Sequence, residues 1–193
     1  MVGRTPKAAI QPFRDSLQRA IACVSQAHVV VLTPRFSLRP ELALIGRDRA
    51  LSLSMDVFYE IVPVTTGARG RRAATTGYRY TLGDGEGREF VSYQWDQRGR
   101  SPVTTPHLHL GSRLVRPGVP FGGVHRPTGK VTLADVLRVV FVEFGVEPQR
   151  PDWEAVLRRL RASLRGSKRH PQWRAWTPFG SGKRRLKALP STL

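Results

Sequence analysis

Two strand-like runs, 76–82 and 88–95, are joined by Gly83-Asp84-Gly85-Glu86-Gly87, and this joint limits what the chain can become more than any other feature. Glycine supplies left-handed backbone at no steric penalty and aspartate tolerates it, so a five-residue connector of this composition is expected to be a hairpin loop. Side chains alternate across a strand. Tyr78 and Tyr80 therefore share one face of the first strand, and Tyr93 and Trp95 share one face of the second.

The flanking patterns extend this hairpin into a larger unit. Residues 10–27 carry Phe13, Leu17, Ala20, Ile21 and Val24 at helical spacing with Arg14, Gln18 and Arg19 between them, which predicts an amphipathic first helix. Residues 28–32, 41–45 and 50–62 are β-branched or alternating runs, expected to be strands. Residues 66–74, with Gly67, Gly70, Arg69, Arg71 and Arg72, have no apolar partner and are expected to form an exposed basic loop. Residues 106–111 are short enough for one more strand, and residues 118–128 are rich in glycine and proline and read as irregular.

Two helices should close the domain. Thr132 has N-cap chemistry and Asp135 stands at the third helical position, ahead of Leu133, Val136, Leu137, Val140, Phe141 and Phe144, with Gly145 as the terminator. A last helix begins near Asp152, a plausible N-cap, and places Val156, Leu157, Leu160 and Leu164 on one stripe against Arg158, Arg159, Arg161 and Arg165 on the other. The expectation is an α+β domain over 10–166 with a mostly antiparallel sheet, an N-terminal helix and two C-terminal helices on one face, followed by a basic, Trp-containing tail over 167–193.

Charge separates that tail from the rest. The chain has 32 Lys and Arg against 14 Asp and Glu, a net charge of +18, while an apolar share of 40% still suffices for a core. From Arg158 to Leu193 there are eleven Lys or Arg and no Asp or Glu. Such an excess is the electrostatic footprint of nucleic-acid binding; the alternative is a GC-rich genome that encodes Arg wherever a surface needs a cation. In the tail Lys168, Arg169, Lys183, Arg184, Arg185 and Lys187 are interleaved with Trp173, Trp176 and Phe179. Cations neutralise phosphates and aromatic faces stack on unpaired bases, so RNA or single-stranded DNA is the favoured partner. The aromatic residues could equally fold back onto the domain. Pro171, Pro178, Gly180 and Gly182 argue against a membrane-surface helix.

Chemistry has one candidate locus. His107-x-His109 on a strand aims both imidazoles to one side, and such a pair can divide acid and base duties in phosphodiester cleavage. The same two residues could be metal ligands needing a third from Asp96, His125 or Asp84, or polar residues on a solvent-facing edge. Asp96 ends the strand before them, and Arg98 follows in the loop as a cation able to stabilise a phosphorane.

Tyr78-Arg79-Tyr80, the hairpin, Trp95-Asp96, Pro106-His107-Leu108-His109 and a Leu/Val-rich helix together resemble the TumE-like family of small bacterial toxins. The resemblance covers roughly 78–146. It implies a short sheet followed by a helix, a toxin-like ribonuclease acting through Asp96, His107 and His109, and an antitoxin protein as partner. The strands and helix before residue 66 and the basic tail depart from that pattern, as does the spacing between Asp96 and His107.

Several alternatives lack their sequence basis. A single cysteine, Cys23, excludes an internal disulfide and a thiolate zinc framework and is expected to be a small core residue. Gly180-Ser181-Gly182-Lys183 lacks the spacing of a phosphate loop, and no Gly-x-Ser-x-Gly elbow occurs. With no apolar leader and no apolar run near 18 residues, the expectation is a cytoplasmic chain without a cofactor-binding motif.

Overall fold

The computed structural model describes residues 5–64, 70–98, 102–111 and 125–165. Thr5 caps the first helix, α1 (Pro6–Ile21), by accepting the Ala8 N–H at 3.2 Å, and Pro6 occupies the first turn, where its missing N–H has no partner to lose. The helix therefore starts four residues before the first apolar repeat and ends well before residue 27. Cys23 and Val24 fall in the turn that follows and are buried there. Burial raises the Cys23 thiol pKa, consistent with a packing role.

The strands are β1 (His28–Leu32), β2 (Arg35–Arg39), β3 (Leu42–Ile45), β4 (Ala50–Pro63), β5 (Arg71–Asp84), β6 (Glu89–Asp96), β7 (His107–Leu110) and β8 (Arg126–Pro127). They pair antiparallel in the order β1-β2-β4-β5-β6-β7-β8. β3 and β2 lie end to end along one edge of the long β4, pairing with residues 50–53 and 56–58 respectively. Two further helices follow, α2 (Leu133–Val142) and α3 (Trp153–Arg165), so the expected α+β class and its order of helices hold.

One sheet face is apolar from edge to edge. Phe36, Leu53, Met55, Val57, Tyr78, Tyr80, Leu82 and Trp95 are buried there with α1, α2 and α3 against them. Tyr78 pairs with Trp95 and Tyr80 with Tyr93 across the hairpin, placing all four rings on the helix side. Tyr78 Oη accepts the Val131 N–H at 2.9 Å, which ties the chain entering α2 to the sheet. α2 opens with a complete capping box: the Thr132 hydroxyl accepts the Asp135 N–H, and the Asp135 carboxylate accepts the Thr132 N–H. After α2 the backbone turns through Gly145 at φ 67°, a conformation that an L side chain strains to adopt. Phe141 and Trp153 pack edge to face at 4.8 Å and lock α2 to α3.

Three expectations need correction. Of the basic loop predicted over 66–74, residues 71–74 are strand instead: Arg71 and Arg72 belong to β5 and pair with Pro63 and Val62, because β4 extends far enough to offer their backbone a ladder. Arg69 lies outside the described residues. β2 was not anticipated from its polar RFSLR pattern, and β8 was not anticipated within the irregular stretch 118–128. Asp152 precedes α3 as expected, but its carboxylate accepts from the Arg150 guanidinium at 2.9 and 3.0 Å. Among the described residues no helix is long and apolar enough to cross a membrane.

Candidate functional site

The sheet face away from the helices is polar, and its register explains how. Ser37 pairs with Asp56, Asp56 with Arg79, Arg79 with Gln94, and Gln94 with His107, so one row of polar side chains crosses five strands. A second row runs Ser54, Thr81, Ser92 and His109. Neighbours in these rows bond to each other: Ser37 Oγ donates to Asp56, Thr81 and Ser92 hydroxyls are 3.1 Å apart, and Gln94 Nε2 donates to Ser92 Oγ at 3.1 Å.

These rows end in three histidines. β8 pairs with β7 with His107 opposite Pro127 and Leu108 opposite Arg126, and the same register brings His125 opposite His109. The ring centroids of His107, His109 and His125 are 4.3 to 4.9 Å apart, and one nitrogen from each lies within 4.8 Å of the others. His107 is buried, His109 half-buried and His125 exposed, so the cluster opens outward at His125.

His107 is held in one tautomer. Its Nδ1 is 2.7 Å from the Thr105 carbonyl oxygen, which can only accept, so Nδ1 carries a proton and, in the neutral ring, the lone pair is on Nε2. That Nε2 lies 3.0 Å from Nε2 of His109, close enough for one shared proton and too close for a substrate atom between them. Burial lowers the His109 pKa, and the neighbouring His125, His107 and Arg79 lower it further, which favours neutral imidazole.

The other chemical candidates have local partners of their own. Asp96 shares the histidine face, but its carboxylate accepts the Arg98 N–H at 2.8 Å and closes the turn after β6. Arg98 is exposed in that turn. Asp84 is the last residue of β5, at the hairpin loop, where it accepts N–H bonds from Glu86 and Arg88 and pairs with the Arg88 guanidinium at 2.8 Å. Partial burial raises the Asp84 pKa, but these donors outweigh it and hold the carboxyl down at about 2. Arg79 is the neighbour that motif reading missed. The alternation of Tyr78-Arg79-Tyr80 could have revealed it, since it turns Arg79 away from the tyrosines.

The α3 arginines sit across the sheet from the histidines. Val156, Leu157 and Leu160 of α3 are buried in the core, while Arg158 and Arg159 are exposed. Arg161 is tied to Asp135 of α2 by an ion pair of 3.3 Å. Of Arg165 only the helical backbone is described, and Lys168, Arg169, Trp173, Trp176, Lys183, Arg184, Arg185 and Lys187 lie outside the described residues. On the helix side Lys130 Nζ stands 3.7 Å over the Trp95 ring, and burial lowers its pKa.

Comparison with models of protein families, with curated proteins and with solved structures gives no match for this chain. What fold and site define is therefore a structural class: an antiparallel sheet with three helices on one face and a three-histidine cluster at the edge of the other.

Proposed function

We propose that the chain is a nucleic-acid-binding protein whose affinity comes from the cationic segment that begins on α3. The observation that carries this reading is the run of eleven Lys and Arg without one Asp or Glu from Arg158 onward. The apolar stripe of α3 is anchored in the core, so Arg158 and Arg159 project from a fixed helix into solvent. Guanidinium groups bind phosphate oxygens through two parallel N–H donors, and tryptophans farther along offer faces for unpaired bases. RNA or single-stranded DNA is the favoured partner. The test is binding of a fluorescent single-stranded RNA to the full chain and to a chain ending at residue 166. The truncated chain should bind at least about tenfold more weakly; equal affinity would overturn this reading.

A second reading is a toxin-like ribonuclease, favoured by the histidine cluster. The α3 arginines lie on the opposite side of the sheet, while Arg79 is a cation close to the histidines among the described residues. Cleavage of defined RNA, compared with His107→Ala and His109→Ala, tests it. Equal rates in all three proteins would end it.

A further inference from the structure

We infer that His107, His109 and His125 are the ligands of one divalent transition-metal ion, zinc foremost, bound at the sheet edge with a coordination position left open to solvent. The inference goes beyond nucleic-acid binding and does not depend on it.

Convergence is the first support. A tetrahedral zinc with Zn–N bonds of about 2.0–2.1 Å sets its ligand nitrogens about 3.3 Å apart. The Nε2 atoms of His107 and His109 are already 3.0 Å apart, and a nitrogen of His125 lies within 4.8 Å of both. His125 is exposed just before a two-residue edge strand, so it can close the remaining gap by a side-chain movement.

Orientation is the second support. A ligand histidine commonly donates its other ring N–H to a backbone carbonyl, which fixes the tautomer and directs the lone pair at the metal. The Thr105 carbonyl holds His107 in that arrangement, 2.7 Å from Nδ1. On the neighbouring strand, the cross-strand partners of His109 and His107, Ser92 and Gln94, are hydrogen-bonded to each other, with Ser92 fully buried.

Donor chemistry narrows the ion. Among the described residues no carboxylate belongs to the cluster, which disfavours calcium and magnesium, whereas imidazole suits zinc, copper, nickel and iron. Three protein ligands also match the sites that keep a fourth position for water or a substrate oxygen, in contrast to closed structural sites. The exposed side of His125 is where that position would open.

The experiment uses the full chain, stripped with chelator, with no nucleic acid present. Zinc is titrated calorimetrically and cobalt is followed by its visible absorption, for the wild type and for His109→Ala, His125→Ala and His28→Ala. The wild type and the His28 variant should bind one ion per chain and give the intense visible bands of four- or five-coordinate cobalt. The His109 and His125 variants should bind at least about tenfold more weakly. Because His125 is exposed, its variant keeps the fold, which circular dichroism checks. Absence of binding by the wild type, or unchanged binding in the His125 variant, would overturn the inference. RNA affinity measured on the His125 variant separates this outcome from that of the nucleic-acid reading, which predicts no change there.

Discussion

His107 and His109, two residues apart on β7, bring their Nε2 atoms to 3.0 Å while His107 Nδ1 holds the Thr105 carbonyl at 2.7 Å. Only one proton can lie between those two nitrogens, and His107 is committed to the Nδ1–H tautomer. Nitrogen chemical shifts of the metal-free protein should therefore report His107 protonated on Nδ1 at neutral pH. Protonation on Nε2 would show that the Thr105 bond does not control the ring.

His107 is also part of the packing, being 2% exposed. Removing its ring leaves the Thr105 carbonyl without that donor, so His107→Ala should destabilise the fold by about 1–3 kcal/mol in urea. His125→Ala, at an exposed position, should stay within about 0.5 kcal/mol of wild type. Equal losses for the two would contradict the difference in their burial.

Leu137 is completely buried in α2. Leu137→Ala should cost about 2–5 kcal/mol through lost burial and the cavity left behind. Thr132→Ala removes the cap of the same helix and should cost about 0.5–2 kcal/mol. An unchanged denaturation midpoint for Leu137→Ala would remove α2 from the core.

Asp84 sets an acid limit on the hairpin. Its folded pKa, about 2, lies below the ordinary 3.8, so its contribution to stability is present above that ordinary value and is lost as pH falls through about 2. Asp84→Asn should be less stable than wild type at neutral pH and should lose less stability on acidification across this interval. Parallel pH profiles for the two proteins would show that the carboxylate does not organise the loop.

The parts of this fold that were legible in the sequence are those whose backbone and side-chain signals agree. The glycine-flanked Asp84 loop, the tyrosine alternation and the Thr132–Asp135 cap each have a local physical cause, and each is found in the structure. β2 escaped because Arg35, Ser37 and Arg39 face the polar side of the sheet, leaving only Phe36 and Leu38 as apolar signal. Arg71 and Arg72 looked like loop because their strand is imposed by β4, a partner that no local pattern announces. The histidine pair was visible as a two-residue period. His125 was one of three possible third partners, and only the β7–β8 register selects it over Asp84 and Asp96.

The central claim, that the cationic run starting on α3 binds nucleic acid through its phosphates, is tested most directly by salt. Binding of the full chain to a single-stranded RNA is measured from about 50 to 200 mM salt, as the slope of log affinity against log salt concentration. Each phosphate neutralised on a single strand contributes about −0.7 to that slope, so six or more contacts predict about −4 or steeper. Substituting Arg158 and Arg159 together by alanine should make the slope shallower by about 1.4. A slope near zero in the full chain would contradict the account.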